Sequence, residues 1–577
     1  MGLLGRRTEP VPIKETGHRR LNSWKEIAAY LLTSVRTVQR WEQTEQLPVR
    51  RHEHGRSGTV FALTQDLDAW LAGRTKAFEV PEPPPRRRVW WGIGLAILTI
   101  AAGIAVLLQV RRSAPVASLA VLPFVNEGGD PNTEYLSAGL PESITRGLSR
   151  LSGFQVKVIS QRAVAHIKND HLDAQDAGRL LNAEAVLTGR VTQRGSDLTV
   201  SVELIDARDN SQIWGERFDR KIADVIAVQE QIAHEIAARL RLRLSPPQKA
   251  DLERRPTASP EAHRDYLRGR YHWNRRSEGG LKLAIDYFQK AIDEDPIYGL
   301  AYAGLAESYA VLSYYGPADN RECAPKALAA AARALELDPS LSEAWTARGQ
   351  VEADFHWNWA AAERSFRRAI ELNERNADAH HWYSEFLAAL GRFEDQRREV
   401  MRAAELDPLS PIITNNQGHV HFFARRYAEA AECYRKAMAE FPHFANPHKD
   451  LGRLFLAEGK PREAIAELER AAALGLPPPE TGLLALAYRR GGDTARALLL
   501  ERELAARVQS GSVPSYAMIY VALGLGDRAR ALDWLEKALE ERGQTVKWIG
   551  VDPLFDPLRD EPRFQAMLRR MGLPMAR

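Results

Sequence analysis

The residues best suited to chemistry lie between positions 34 and 56. Arg36, Thr37 and Arg40 are spaced so that on a helix they share one face. Guanidinium groups there can pair with guanine edges or phosphates, and a threonine can meet a thymine methyl. Ser34 fits as the N-cap of that helix and is taken with the face as a DNA contact. A second basic stretch, LPVRRHEHGRSGTV, brings Arg50, Arg51, His52, His54 and Arg56, which can meet the backbone of a duplex. Catalytic patterns are missing by comparison: there is no Ser-His-Asp order, no carboxylate pair and no glycine-rich phosphate loop, Gly128-Gly129-Asp130 reading as a turn. His380 and His381 are adjacent and point apart, and His419 and His421 do not share a helix face. No metal set and no cofactor are expected. Cys323 and Cys433, the only cysteines, offer neither a disulfide framework nor a CxxC pair. The chain is not expected to be an enzyme.

Two short helices must position the basic face. Ser23-Trp24-Lys25-Glu26 has the spacing of a capping box, and Trp24, Ile27, Ala28 and Leu31 follow as an apolar stripe. In the second helix Val35, Val38 and Trp41 face inward, leaving Arg36, Thr37 and Arg40 outside. The stretch from Leu47 to Phe61 reads as a hairpin, and a third helix from Gln65, capped by Thr64, buries Leu67, Trp70 and Leu71. SWKEIAAYL, SVRTVQRWE, LPVRRHEHGRSGTV and LDAWL resemble the winged helix-turn-helix modules of excisionases and MerR-type regulators. That resemblance implies a DNA-binding domain over 21–74, after a disordered 1–20. Such modules usually carry glycine in the turn where Leu32 stands, so either the turn bends without it or the first helix runs longer. The competing reading is a helical hairpin whose basic face contacts protein or anionic lipid.

Residues 75–88, with Pro81, Pro83, Pro84 and Pro85, read as an extended linker. Val89 to Val110 then runs for twenty-two residues without a charge. As a helix it covers roughly 33 Å, enough to cross a bilayer. Trp90 and Trp91 suit the headgroup level, and Arg86–Arg88 and Arg111–Arg112 close the two ends. Lys and Arg are in excess on the N-terminal side, which places 1–88 in the cytoplasm and the rest beyond the inner membrane, in the periplasm. Residues 1–20 lack an apolar core, so the expectation is a single-pass signal anchor. Residues 1–88 hold sixteen Lys/Arg against ten Asp/Glu, an excess of six within a chain of net charge +4. The positive charge belongs to the segment before the span, as a nucleic-acid partner there requires.

After the span an α/β module is expected over 117–245. Leu119–Phe124 reads as a strand, Thr133–Leu151 as a helix, and Phe154, Val156 and Val158 as a second strand with one wet face. Ala174–Leu181 reads as helix and Ala185–Val191 as strand. A hairpin turning at Arg194–Asp197, a strand through Ile213 and Trp214, and a closing helix from Val225 to Leu240 complete it. SLAVLPF, YLSAGLPESITRGLSRL, AEAVLTGRV and LIDARDNSQIWGERFDR resemble the amino-terminal domain of TolB-like proteins, which implies a docking or ligand-sensing role without chemistry of its own.

Pro246, Pro247, Pro256 and Pro260 suggest a linker, and over 260–577 the chain repeats itself. Ala369, Ala403, Ala437 and Ala471 recur every 34 residues, each three residues after a large side chain: Phe366, Val400, Tyr434 and Leu468. Ala362, Ala430 and Ala464 form a third column, which Gln396 breaks. Small–large–small columns at this period resemble tetratricopeptide repeats, pairs of antiparallel helices. About eight units are expected, with Pro562–Met571 as a terminal cap and a protein or peptide held on the concave face.

The expected fold class is multidomain: a small winged helix-turn-helix, one transmembrane helix, an α/β domain and an α-helical repeat solenoid. This order resembles membrane-integrated one-component regulators of the CadC and ToxR kind. It implies an inner domain on double-stranded DNA, pairing as a homodimer over two half-sites, and an outer region that senses a ligand or protein. The alternative is a membrane-anchored scaffold for envelope protein assembly whose inner domain contacts protein.

Overall fold

The structure is a computed structural model that describes residues 19–51, 59–76, 116, 118–149, 157–159, 173–240, 242, 244–315 and 318–574. The expected membrane span, 89–110, lies outside them. Among the described residues no helix is long and apolar enough to cross a membrane. The chain divides into two units, 1–114 and 115–577.

In the first unit, helix α1 (Trp24–Tyr30) and helix α2 (Val35–Glu45) are joined by a tight turn. Ser23 Oγ accepts the Glu26 amide, as the capping box predicts. The return arm differs: Glu26 accepts from the Asn22 amide, not from Ser23. Strand β1 (Arg20–Leu21) and strand β2 (Arg50–Arg51) flank strand β3 (Val60–Leu63), both antiparallel to it. The ordered module therefore begins inside the stretch expected to be disordered, and its third helix, α3 (Thr64–Lys76), runs into the expected linker. Leu21, Ile27, Ala28, Val38, Leu47, Ala62 and Leu67 form its core. Two details depart from expectation. Leu71 is exposed, and Thr64 sits within the helix with its hydroxyl accepting from the Arg19 amide.

The second unit opens with a six-stranded sheet. Strand β4 (Ser118–Val121) lies between parallel neighbours β6 (Lys157–Ile159) and β7 (Ala185–Arg194), and the short β5 (Val125–Asn126) also pairs with β7. β8 (Asp197–Asp206) and β9 (Ser211–Lys221) extend the sheet as an antiparallel meander. Alternation sorts the side chains. Leu119, Val121 and Leu187 point to one face, against helices α4 (Glu134–Ser149) and α6 (Val225–Arg239), while Ala120 and Val186 point to the other, against α5 (Ala174–Leu181). The parallel half is thus covered on both faces, as parallel strands require. Of the expected second strand, Phe154 and Val156 lie outside the described residues.

The prolines after residue 245 do not make a linker. Pro246–Glu253 is helical, Leu252 is buried, and one apolar core runs without a break from Leu119 to Leu387. Helix Pro260–Asn274 packs directly on α4. From there to Arg528–Glu540 the described residues form eight antiparallel helix pairs. All the small and large column residues from Ala362 to Ala471 are fully buried. Gln396 is buried too, so the column is broken in chemistry and not in packing. The sequence reading missed a further column, Gly418 and Gly452, in the first helix of each pair. A Cβ on Gly418 would come within 2.3 Å of the Tyr434 ring, so only glycine lets the paired helices approach this closely. The last helix, Pro562–Met571, packs against Arg528–Glu540, but it also returns to the third pair. Trp359 Nε1 donates to the Met571 carbonyl at 2.6 Å, so this helix is not a simple end cap.

Candidate nucleic-acid interface and solenoid groove

The 36–40 face is built as its spacing suggests. Ser34 caps α2, its Oγ accepting the Thr37 amide at 3.2 Å and lying 2.8 Å from Thr37 Oγ1. Both hydroxyls are therefore engaged in the cap. Arg36 and Arg40 project into solvent, and among the described residues neither has an ion-pair partner. Val38 is fully buried between them and pins the helix from behind. Trp41 lies 5.6 Å from Trp70 of α3, Arg74 stacks over both rings, and Trp70 Nε1 donates to the Glu45 carbonyl. This sandwich fixes the angle of α2 on α3.

The expected contact residues divide into two groups. Arg50 pairs with Asp66 at 3.1 Å and Arg51 with Glu42 at 2.9 Å, so both tie the hairpin to the helices although they remain largely exposed. His52, His54 and Arg56 lie outside the described residues. Arg20, which the sequence reading left out, stacks on Phe61 at 3.7 Å and adds a cation beside the hairpin.

The turn answers the question that Leu32 raised: it bends without glycine. Leu32 holds φ +50° with its side chain 94% exposed. A left-handed non-glycine residue costs about 1–2 kcal/mol, part of which glycine would return as unfolded-chain entropy. Leu32→Gly is expected to stabilise this unit by about 0.5–1 kcal/mol, read as a rise in the urea midpoint.

In the second unit the first helices of successive pairs carry a buried polar network. Asp450 accepts from Asn415 at 2.7 Å and meets His419 Nε2 at 3.1 Å; Asn416 bridges Glu385 and His381. Burial alone would lower the His419 pKa, but the Asp450 and Glu385 carboxylates raise it to about 9. Its contribution to stability is complete below its unfolded value of about 6.5 and is lost as pH rises through 9. The unfolding midpoint should therefore fall between pH 6.5 and 9, and His419→Gln should flatten that slope.

The groove these helices line is filled by the chain's own Gln544–Trp548 and Pro553–Leu558 turns. Lys547 Nζ reaches Asp354 Oδ1 at 2.7 Å and Tyr314 OH at 3.1 Å. Trp548 Nε1 donates to the Glu385 carbonyl and its ring stacks on Phe423. Asp552 pairs with Arg453, and Arg425 holds the Val551 carbonyl and Asp556. The expectation is a concave face that holds a protein or peptide; along this stretch the chain's own segment occupies it.

A third charged site joins the sheet module to the solenoid. Arg270 lies 2.6 Å from both Glu142 of α4 and Glu307, and Arg146 reaches Glu142 and Glu343. These residues line a cavity of about 110 Å³. Burial, only partly offset by Arg270, raises the Glu307 pKa to about 7.

Comparison with known proteins sorts these parts. Residues 115–236 match the family described as HilA/YgeH-like transcriptional regulator, second domain, where the sequence had suggested a TolB-like domain. Residues 358–411 and 424–476 match tetratricopeptide repeats. A Salmonella paratyphi A protein named "Transcriptional regulator HilA" is 24% identical over 297 residues, 50% of this chain and 51% of that one. A Rhizobium meliloti protein named "Putative adenylate cyclase 3" is 30% identical over 189 residues, 33% and 32% of the two chains. The chain thus spans about half or less of these curated relatives. Among solved structures yeast Tom70 aligns with a TM-score of 0.35 at 12% identity, over 60% of this chain and 82% of that one. The chain is a multidomain protein with a domain like the second domain of HilA/YgeH-type transcriptional regulators and a large tetratricopeptide solenoid.

Proposed function

We propose that this chain is a membrane-integrated transcription regulator. Its first unit binds double-stranded DNA as a winged helix-turn-helix, with α2 in the major groove. Its second unit takes a protein partner through the repeats. The observation that carries the reading is α2 itself: a capped helix, braced by the Trp41–Trp70–Arg74 sandwich, with two exposed arginines one turn apart that have no ion-pair partner among the described residues. The similarity of 115–236 to a regulator domain supports the same reading. The charge-free run at 89–110 and the flanking arginines support a single span with the DNA-binding unit in the cytoplasm. Two copies brought together would contact half-sites about one helical turn apart. No catalytic activity is assigned.

A membrane-anchored scaffold is the second reading, favoured by the size of the solenoid. Salt separates the two. Duplex binding should weaken with log salt at a slope of about −0.9 per phosphate contacted, whereas an apolar protein contact should barely respond. A titration of residues 1–80 against a labelled duplex measures that slope, and a flat line would remove the DNA assignment.

A further inference from the structure

The segment that fills the groove is chemically unlike the rest of the array. Two short turns replace the helix pair, following a bend at Arg542, where φ is +54°. Its anchors are ions withdrawn from water: the side chains of Lys547 and Asp354 are each 2% exposed, and Asp552 and Arg453 are 1% and 11% exposed. Buried ion pairs contribute less to stability than apolar groups of the same volume would, but they discriminate sharply between partners. The lysine site is held ready by neighbours, because Tyr314 OH and Gln350 Nε2 both donate to Asp354 Oδ2, at 2.8 and 2.7 Å. Phe423 offers a face for the ring beside it, and Arg453, lying against Phe422 and Phe423, waits for an acid. Tyr314, Asp354, Glu385, Phe423 and Arg453 come from the first helices of five successive pairs, so the subsites follow the groove in order.

We propose that Gln544–Leu558 is a displaceable occupant of a peptide-recognition groove. The partner is a segment of another protein that takes up the same turns and presents the same groups: a lysine, an aromatic residue next to it, and an acid five positions after the lysine. This rests on the reading of the solenoid as the partner-binding region and is independent of DNA binding by the first unit. In the resting chain the groove is closed in cis, and a partner gains access by competing for the Asp354 and Arg453 sites.

The test uses the full chain and a labelled peptide with the sequence of residues 544–559. Wild type should bind it weakly and Lys547→Ala/Trp548→Ala at least tenfold more tightly. A peptide carrying Lys547→Glu should not compete. A folded double variant that does not bind, or binding indifferent to the Lys547→Glu change, overturns the proposal. Should the double variant not fold, hydrogen exchange of the wild type decides. Amides of 544–558 should exchange at least tenfold faster than those of Ala377–Ala389, because the occupant opens on its own. Equal protection would make the segment a fixed part of the core and overturn the proposal. Duplex binding measured on the same sample keeps a failure here separate from a failure of the DNA assignment.

Discussion

Arg36→Ala combined with Arg40→Ala should weaken specific duplex binding by about 2–6 kcal/mol, thirty-fold at the least, because each guanidinium paired with a base edge is worth about 1–3 kcal/mol. Folding should not suffer. Both side chains are exposed, neither has an ion-pair partner among the described residues, and the core behind them is held by Val38 and the tryptophan pair. Fluorescence anisotropy with a specific and a scrambled duplex measures the loss, and circular dichroism checks the fold. Arg50→Ala or Arg51→Ala should behave differently. Those arginines also bind Asp66 and Glu42, so their loss should loosen the hairpin as well as the complex.

The second large effect is in the junction between sheet and solenoid. Arg270→Met leaves Glu142 with Arg146 alone and takes from buried Glu307 the arginine 2.6 Å away, and removing one partner of a buried pair costs about 3–5 kcal/mol. The urea midpoint of the second unit should fall accordingly. Adding Glu307→Gln should recover a large part, since a neutral amide does not need the arginine. If Arg270→Met left the midpoint unchanged, this cluster would not be what couples the two parts.

What could be read from the sequence was what local spacing determines. The caps at Ser23 and Ser34, the hairpin turning at Arg194–Asp197, and the 34-residue columns each depend on neighbours within one element, one turn or one repeat, and all stand in the structure. Features that depend on distant parts of the chain were not legible. Glu142 and Arg270 are 128 residues apart and meet because helix Pro260–Asn274 packs on α4, and Asp354 and Lys547 are 193 apart and meet because the chain returns to the repeats; no periodicity announces either contact. The proline-rich 246–260 stretch looked like a linker because prolines often mark one, yet Pro246 and Pro260 each begin a helix, where their fixed φ is favourable. Strand β1 is two residues long, too short for any pattern to announce. For the candidate DNA face, sequence spacing found Arg36, Thr37 and Arg40 and placed Ser34 as the cap, but could not show that the Thr37 hydroxyl is drawn into that cap.

The most direct test of the regulator assignment is a retention experiment: residues 1–80 against fragments of the source genome at low and moderate salt. The expected result is selective retention of a few fragments, weakened by salt and lost with Arg36→Ala/Arg40→Ala. Uniform weak retention of every fragment, or selective retention that survives the double substitution, would contradict it.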